Sequence, residues 1–531
     1  MARLQEIEKK PKQDGSMCTP PPLPFQPAFI GLAEQIAIHG RFRPREIALV
    51  EGGRLLDWET YNARANRVAN VLIASGVRAG DRVAMVLANS ILAHELLLGV
   101  WRAGAIAVPL SPLLSDENIA TMLGDCAPAL VLASQAHHAR CMRVAQPRRT
   151  VGEQELEDIL AGADDTPPGI TCAAADTAVI IYSSGTTGTP KGIAHSHESR
   201  LKFAAYFAAE FGFTPHSRTL SCVPIHSNGA WLSWAPAMWI GARTIVLPQF
   251  SAEEYLRIVE VHAPTHGFAV PTMAQALLAH PRIEQTGLGC FRTLITAGST
   301  MPEATKQDLQ RLTHDRLYEL WGLTEGVATI IQPEDMRTRP CSVGRPMLGC
   351  DIRLVDAGGN DVTGVAPGEI VGRSAAMMSG YWNRPDANAG ILWHDAAGIP
   401  FIRTGDIGEF DDAGFMTLRG RIKDMIVSGG LNVYPIDIEA LLLRHPDVAD
   451  AAVTGIPDPR WGESPAAFVR LRDAAAIDAE DLLAWANPLL ARHQRIAELH
   501  VLAGDFPRNT MGKVVKRDLV ANHRIAKEDA P

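Results

Sequence analysis

The residues best suited to chemistry follow an apolar segment, Thr177 to Tyr182, that is typical of a short buried strand. The loop after it alternates hydroxyl side chains with glycines and ends in Pro190-Lys191-Gly192. Glycines let backbone N–H groups approach a ligand, hydroxyls add donors, and a lysine adds positive charge, so this loop suits a polyphosphate. The candidate phosphate contacts are Ser183, Ser184, Gly185, Thr186, Thr187, Gly188, Thr189 and Lys191.

Two alternative roles for this loop are less well supported. It is not a Walker A motif, because Pro190 stands where that motif requires its second glycine. It could also be a solvated surface loop of small residues. Such loops rarely combine this many hydroxyls with a Pro-Lys-Gly exit, which favours phosphate binding.

Two later segments carry charged residues whose roles the residues alone leave open. Asp406 ends the segment Arg403-Thr404-Gly405-Asp406. A carboxylate is the natural acceptor for the vicinal hydroxyls of a ribose, and an aspartate in a turn is the alternative. Lys513 follows Pro-Arg-Asn-Thr-Met-Gly near the C-terminus, where a lone lysine is most often a solvated surface charge.

Three further segments also fit simple structural roles. Thr296 to Thr300 fits a strand-to-helix turn with a hydroxyl cap. Thr324-Glu325 fits an exposed acidic loop, and Gly420 to Asp424 fits a charged turn after a hairpin. Taken one at a time, the first two segments leave a structural and a functional role equally open.

In their order along the chain, however, the segments resemble the signature motifs of the acyl-adenylate-forming enzymes. This superfamily comprises acyl-CoA synthetases, carrier-protein adenylation domains and firefly-type luciferases. The resemblance runs from about Phe29 to Asp518, with the motifs at family-like spacing. It implies ATP, Mg²⁺ and coenzyme A as cofactors and a small-molecule carboxylic acid as substrate.

The resemblance also implies roles for the nucleotide-binding residues. Trp321 would stack on adenine in place of the usual tyrosine, which keeps the stacking but loses a phenolic hydrogen bond. Thr324 would contact the α-phosphate, and Glu325 would bind magnesium. Asp406 would accept hydrogen bonds from the ribose hydroxyls, and Arg421 would reach the ribose or the phosphates. The other implied contacts are Ala297, Gly298, Ser299, Glu319, Leu320 and Gly322.

The implied acyl pocket centres on His226, a residue that commonly acts as an aromatic gate in the family. A hydrogen-bonded core histidine is the alternative. Bulky neighbours favour a compact aromatic, alicyclic or short-to-medium acid, although helix packing accounts for the tryptophans about as well. The predicted pocket comprises His226, Ser227, Asn228, Gly229, Trp231, Val270, Thr296, Ala297 and Gly322. His195 and His197 are expected to serve packing and the start of a helix.

The C-terminal motifs imply a moving domain. Lys423 would be the hinge, and Lys513 would bridge the attacking carboxylate and the α-phosphate, beside the other catalytic candidates Thr324, Glu325 and His226. Gly429 and Gly430 would let the pantetheine chain of CoA pass close to the backbone, near Tyr434.

Composition limits the class of protein. The chain has 531 residues, with 50 basic and 59 acidic side chains, which argues against a nucleic-acid partner. No run of about 18 apolar residues occurs, so we expect no membrane insertion. Eight cysteines without a Cys-x-x-Cys pair favour free thiols in a reducing compartment, hence the cytoplasm. A monomer or homodimer is expected.

The pattern of apolar strands and amphipathic helices predicts an α/β fold. The predicted helices are Tyr61 to Ser75, Ile91 to Ala103, Ile438 to Arg444, and Ala479 to Ala491 with an interruption at Pro488. The predicted strands include Asp81 to Leu87, Ala105 to Leu110, Ala129 to Ala133, Val448 to Ile456, Ala466 to Leu471 and Glu498 to Leu502. We expect a leader over residues 1–28, a large N-terminal domain over 29–422 and a mobile α+β lid over 423–531. The large domain would hold parallel and mixed sheets covered by helices, plus a β-barrel-like subdomain. One continuous large domain is the alternative.

The predicted activity is that of a free-standing acid–CoA ligase. The chain would form an acyl-adenylate from ATP, release pyrophosphate, and pass the acyl group to CoA with release of AMP. Three alternatives remain at this level: an enzyme that loads a carrier protein in trans, a catalytically inactive nucleotide-binding relative, and a luciferase-like oxygenase.

The implied role of Lys513 leads to a test. We expect Lys513→Ala to abolish adenylate formation, measured as pyrophosphate release, because it removes the cation between the two reacting anions. Thioester formation from supplied acyl-adenylate should be largely spared and serves as the internal control. Full adenylation activity in this variant would contradict the assignment.

Overall fold

A computed structural model describes residues 29–145, 149–183, 190–299, 301–472, 475, 477–507, 514–516 and 518–519. Three predicted segments lie outside the described residues: the leader over 1–28, the phosphate loop from Ser184 to Thr189, and Lys513. Their assignments stay predictions.

Helices and short strands alternate over most of the chain. The helices are α1 (Leu32–Phe42), α2 (Trp58–Ala74), α3 (Ile91–Arg102), α4 (Asp116–Cys126), α5 (His138–Val144), α6 (Glu153–Ala161), α7 (His197–Glu210), α8 (Asn228–Ile240), α9 (Ala252–His262), α10 (Pro271–Leu278), α11 (Ile283–Thr286), α12 (Glu303–Leu312), α13 (Pro333–Met336), α14 (Pro385–Gly390), α15 (Pro435–Leu442) and α16 (Ala479–Ala486).

The strands are β1 (Ile47–Glu51), β2 (Arg54–Asp57), β3 (Arg82–Val86), β4 (Ile106–Leu110), β5 (Leu130–Ala133), β6 (Arg149–Gly152), β7 (Thr177–Ser183), β8 (Lys191–Ser196), β9 (Arg218–Ser221), β10 (Arg243–Val246), β11 (His266–Phe268), β12 (Thr293–Ala297), β13 (Leu317–Gly322), β14 (Ala328–Ile331), β15 (Ser342–Pro346), β16 (Cys350–Val355), β17 (Gly368–Ser374), β18 (Gly380–Tyr381), β19 (Leu392–His394), β20 (Pro400–Phe410), β21 (Met416–Arg421), β22 (Ile426–Ser428), β23 (Leu431–Val433), β24 (Val448–Asp458), β25 (Gly462–Leu471) and β26 (Glu498–Val501).

The first sheet has seven described strands in the order β18-β8-β7-β4-β3-β5-β6. Strands β3 to β7 run parallel, while β8 and β18 are antiparallel additions beside β7. Strands β4 and β5 are apolar and buried throughout, as expected where helices cover both faces, whereas the outermost strand β6 begins with the exposed Arg149. The carboxyl end of β7 leads directly into the predicted phosphate loop.

The second sheet is long and changes character along its length. Its main path is β16-β17-β20-β21-β15-β14-β13-β12-β11-β9-β10-β1-β2. The strands from β13 to β1 are parallel, and those from β14 to β16 are antiparallel with a core of their own. The expected barrel-like subdomain falls in this antiparallel part, and its barrel character stays a prediction.

Two helices fill the space beside these sheets. Every residue of α3 is buried, and α3 contacts both β4 of the first sheet and β1 of the second. Helix α8 is buried from Ala230 to Met238. A helix that is apolar on all sides belongs in a protein interior. Trp101 of α3 packs against Trp231 and Trp234 of α8, with ring centroids 6.0 and 6.2 Å apart.

The third sheet uses only residues that follow the predicted hinge. It has the order β23-β22-β25-β24, with β26 beside β25. Its core comes from residues 426–496. Lys423 lies in a single 3₁₀ turn, Ile422–Asp424, between β21 of the second sheet and β22 of the third. The domain boundary at Lys423 stays a prediction, and this turn is where the chain passes between sheets.

The α/β fold class is confirmed, and the predicted elements agree with the observed ones to within a few residues. The helix predicted over Ala479 to Ala491 is an exception, because it ends at Ala486 and Asn487–Leu489 form a 3₁₀ turn. Pro488 has no N–H to continue the helix. Ser299 does not cap the helix that follows it, since α12 has Pro302 at that place. Within the described residues, no helix combines the length and apolar character needed to cross a membrane.

Candidate active site

The predicted adenine-binding segments meet at one edge of the second sheet. β12 and β13 are parallel neighbours, and Ala297 pairs with Leu320. Their carboxyl ends therefore lie side by side, with Gly298 after one strand and Trp321 and Gly322 at the end of the other. In open α/β sheets, ligands bind in the crevice outside these ends. Tertiary structure thus brings together segments that the sequence places apart.

Asp406 is held between two other predicted nucleotide contacts. The indole N–H of Trp321 donates to Asp406 Oδ2 at 3.1 Å, and Arg421 Nε lies 2.9 Å from Oδ1. Asp406 and Arg421 face each other across β20 and β21. The carboxylate is 6% exposed, so its orientation is set before any ligand arrives. Trp321 lacks the phenolic hydroxyl of the tyrosine that is usual in the family. Its indole N–H nevertheless makes a polar contact, with Asp406.

Glu325 is joined to the exit of the phosphate loop through Tyr381. The Tyr381 hydroxyl donates to Glu325 Oε1 at 2.8 Å, and the Lys191 ammonium lies 5.1 Å from the Tyr381 ring centroid. Burial and the nearby Glu325 carboxylate raise the pKa of Tyr381. The Met378 N–H donates to the Glu325 carbonyl at 2.8 Å. These contacts place the Glu325 carboxylate and the Lys191 ammonium against the same side chain, that of Tyr381.

The residues at this place fit a magnesium ion. Mg²⁺ prefers oxygen ligands and is often held by one or two carboxylates together with substrate phosphates and water. The described part of the chain contains no cluster of three or more His, Cys, Asp or Glu side chains that could hold a metal. Glu325 beside the loop exit suits an ion that takes its other ligands from a nucleotide.

The turn that presents Thr324 and Glu325 depends on Gly326. Its φ is +111°, and a Cβ there would lie 2.7 Å from both the Ala376 carbonyl oxygen and Met377 Cα. L-residues rarely adopt such a φ, and the backbone neighbours cannot move as a side chain can. This turn is thus specified by one glycine.

Glu319 has a structural partner rather than a free carboxylate. It lies 2.5 Å from the Lys306 ammonium, and both side chains are buried. Lys306 Nζ also donates to the Pro340 carbonyl at 3.0 Å. The pair ties α12 to β13, and burial raises the pKa of Glu319. Any contact of Glu319 with a nucleotide therefore has to compete with Lys306.

The predicted acyl motif, His226 to Gly229, lies at the start of α8. Ser227 is its N-cap and accepts from the Gly229 N–H at 3.3 Å. Burial lowers the pKa of His226 to about 4, so its imidazole is neutral at neutral pH. His226 Nδ1 is buried and has no hydrogen-bond partner among the described residues. A neutral ring with an unused polar atom suits a pocket wall better than a hydrogen-bonded core position.

Most of the other predicted pocket residues are buried, whereas Gly322 is exposed. Val270 precedes α10, and Thr296 lies in β12 with a buried hydroxyl that has no partner in the described part. Trp231 is fully buried, and its indole N–H donates to the Ile225 carbonyl at 3.1 Å. A Cβ on Gly229 would lie 2.9 Å from the Phe268 ring. The start of α8 is thus closely packed by aromatic rings.

The two glycines predicted to bind CoA both have a left-handed backbone conformation. Gly429 and Gly430 have φ values of +59° and +81°. Gly429 N–H donates to the Trp461 carbonyl at 2.8 Å, and a Cβ on Gly429 would lie 2.8 Å from the Trp461 ring. Tyr434 precedes α15. Across the predicted hinge, Arg419 lies 3.8 Å from Asp437 of α15.

Sequence reasoning missed three residues of this region. Each of them contacts a predicted site residue that is distant in sequence: Tyr381 contacts Glu325, Lys306 contacts Glu319, and Arg200 contacts Asn228. A buried lysine or arginine inside an amphipathic helix is not marked by any local motif. His195 and His197 were predicted correctly, because His195 is buried in β8 and His197 opens α7.

The chain belongs to the AMP-binding enzyme family. The family model matches residues 37–382, more than half of the chain, and the model for the AMP-binding enzyme C-terminal domain matches residues 437–513.

Relatives and solved structures agree with this membership. The chain is 33% identical to the long-chain-fatty-acid–CoA ligase FadD13 of Mycobacterium tuberculosis, over 87% of this chain and 92% of that protein. It is 32% identical to a feruloyl-CoA synthase of Amycolatopsis, over 92% and 98%. The fold is similar to ATP-bound MatB from Rhodopseudomonas palustris, with TM-score 0.86, 29% identity and coverage of 93% and 99%.

The protein is therefore an AMP-forming acid–CoA ligase. Enzymes of this class activate a carboxylic acid with ATP to an acyl-adenylate and then transfer the acyl group to CoA. ATP and CoA are its cosubstrates.

Gly326 can be tested by one methyl group. We expect Gly326→Ala to lower kcat/KM for ATP by about 100-fold, because it would displace Thr324 and Glu325, the predicted phosphate and magnesium contacts, by about 1 Å. Gly364→Ala is the matched control, since Gly364 has φ +73° but no atom within 4 Å of a Cβ. Pyrophosphate release and thermal unfolding measure both variants. Equal losses in the two would show that Gly326 has no special role.

The lowered pKa of His226 can be tested through pH dependence. Because this imidazole stays neutral above a pKa of about 4, the activity ratio of wild type to His226→Ala should be flat within about twofold from about pH 5.5 to 8. The exposed His216→Ala is the control. A ratio that changes about tenfold on lowering the pH through 6.5 would mean that His226 titrates as an ordinary histidine.

Proposed function

We propose that the clusters around Asp406 and Glu325 form the nucleotide site of this ligase. The observation that carries the proposal is the carboxylate of Asp406, buried and oriented by Trp321 and Arg421 at the carboxyl ends of parallel strands. Oriented carboxylate oxygens at that place suit the two hydroxyls of a ribose. Trp321, with its edge fixed by Asp406, offers a ring face to adenine.

The first half-reaction joins the acid to AMP. The carboxylate of the acid attacks the α-phosphorus of ATP, the bond to the β-phosphate oxygen breaks, and pyrophosphate leaves. Catalysis of this step is mostly positioning and dispersal of charge. We assign Thr324 and the loop from Ser183 to Thr189 to the phosphates, and Lys513 to the space between the two reactants. Magnesium at Glu325 would neutralise phosphate charge when bound.

The second half-reaction needs a thiol where Lys513 stood. We propose that rotation at Lys423 removes Lys513 and brings the third sheet to the site. The positive φ values of Gly429 and Gly430 support a loop along which a pantetheine chain passes. The thiol then attacks the acyl carbonyl, and AMP leaves.

The acid that best suits the site is compact. Trp231 is fully buried, and Phe268 approaches Gly229 too closely for even one added carbon. Rigid aromatic walls next to His226 support an aromatic, alicyclic or short-to-medium acid over a long fatty chain.

We also propose a cytoplasmic enzyme that is a monomer or homodimer. The described cysteines, Cys126, Cys141, Cys172, Cys222, Cys290, Cys341 and Cys350, are all free, which supports a reducing compartment. Cell fractionation and light scattering check these two assignments.

Pyrophosphate release across a panel of carboxylic acids, with and without CoA, tests the proposed function. We expect CoA-dependent turnover that is faster with a compact acid than with palmitic acid.

Asp406→Asn should raise KM for ATP by about tenfold or more, because it removes a charged acceptor, while the exposed Asp412→Asn should not.

Two outcomes would contradict parts of this proposal. Turnover only with a carrier-protein thiol would assign the acceptor to a carrier protein. A KM for ATP that does not move in Asp406→Asn would remove Asp406 from the ribose site.

A further inference from the structure

Arg200 is a buried guanidinium with no carboxylate partner among the described residues. It lies on α7 and is 1% exposed. No acidic side chain of the described residues acts on it, and burial alone lowers its pKa to about 9. It therefore stays charged at neutral pH. Burying a charge without a counter-ion is costly, so such groups normally have an anionic partner.

Neutral groups surround Arg200. Nη1 donates to Asn228 Oδ1 at 2.9 Å, and Nη2 lies 2.9 Å from His195 Nδ1. The guanidinium carbon lies 4.6 Å from the Phe203 ring centroid and 5.3 Å from that of Trp231. Arg200 Nε is buried without a partner in the described part of the chain. Two aromatic faces hold the guanidinium in place, but its donors are under-used.

Other buried cations of this protein are better satisfied. The Arg102 guanidinium donates to four oxygens, contributed by Asn62, Asn66 and Ala33. Lys306 has the Glu319 carboxylate at 2.5 Å. Arg200 has neither arrangement, so its site is suited to accept one more anionic group.

Arg200 lies directly behind the proposed acyl pocket. Its partner Asn228 is the first residue of α8 and belongs to the acyl motif, and Trp231 belongs to the predicted pocket. On the other side, the His195 ring lies beside the Thr324 backbone. Burial lowers the pKa of His195, and the contact with the Thr324 backbone partly offsets this effect. Arg200 thus stands between the acyl motif and the turn assigned to the α-phosphate.

We propose that Arg200 binds a second carboxylate of the acid that this enzyme activates, so that the substrate is a compact dicarboxylic acid. The inference rests on the proposed acyl pocket at His226 to Gly229. One carboxylate of the acid faces the nucleotide. The other accepts hydrogen bonds from the Arg200 guanidinium, beside or in place of the Asn228 oxygen. Arginine is well suited to this role because its planar donors match both carboxylate oxygens.

A purely structural role for Arg200 makes a different prediction. If Arg200 only braced α7 against the start of α8, its loss would affect every acid alike. Recognition of a second carboxylate affects only acids that carry one.

The test compares each diacid with its own monomethyl ester, which has nearly the same shape but one charge fewer. Pyrophosphate release is measured with the linear diacids from succinic to suberic acid, with terephthalic acid, and with their monomethyl esters. For the best diacid, we expect kcat/KM in the wild type to exceed that of its ester by about tenfold to a hundredfold, the range of one charge-assisted interaction.

Two variants examine the cause of this preference. Arg200→Leu should reduce the diacid-to-ester ratio to about one, mainly through KM of the diacid, since it removes a binding contact. Asn228→Asp supplies an internal carboxylate to Arg200 and should also reduce the ratio to about one. Lys202→Leu is the control, because it removes a positive charge from the partly exposed face of the same helix and should keep the wild-type ratio.

Each outcome decides one question. A wild-type ratio near one for every pair, or an unchanged ratio in Arg200→Leu, would overturn the role of Arg200 in substrate choice. If Arg200→Leu does not fold, the wild-type ratio and Asn228→Asp still decide. Pyrophosphate release with monoacids but without a preference for diacids would overturn this inference alone. No release with any acid would instead contradict the proposed function.

Discussion

The contact on which the rest of the site depends is the buried carboxylate of Asp406. It accepts a hydrogen bond from the indole N–H of Trp321, at the end of the parallel strand β13. It also faces Arg421 of β21, in the antiparallel part of the same sheet. One anion thereby joins the two parts of the second sheet at the crevice where ligands bind. Arg421 is also the residue before the 3₁₀ turn that leads into the third sheet, so the same contact lies beside the proposed hinge.

Individually placed positive side chains, and not the net charge of the chain, provide the positive charge at the proposed site. Its formal charge is −9, yet it belongs to a family of enzymes that bind anionic ATP. The cations that matter are individually placed: Lys191 over the Tyr381 ring, and Arg421 against Asp406. Inside a protein the effective dielectric constant is low, so a single oriented charge acts more strongly than a diffuse surface excess. Arg200 is the extreme case, a buried charge whose neighbours in the described part of the chain are all neutral.

Much of this site could be predicted because its motifs are local. A phosphate-binding loop needs glycines and hydroxyls close together in the chain, and Asp406 follows a short recognisable segment. Tyr381 shows the limit, since it reaches Glu325 only because β18 pairs with β8. Glu319 shows another limit, since nothing near it in sequence indicates that Lys306 occupies its carboxylate. The helix predicted over Ala479 to Ala491 extends too far because a proline can either interrupt a helix or end it, and here it ends the helix.

The sequence by itself determined the α/β class, the family resemblance, and the segments proposed to bind the nucleotide, since these depend on hydrophobic periodicity and on residues adjacent in the chain. Only the tertiary structure decided how those segments are supported. The register of β12 against β13 brings Ala297 beside Leu320, and the packing of α7 on α8 places Arg200 against Asn228. Contacts between residues far apart in the chain arise when strands pair and helices pack, and burial then sets the energy of each charge.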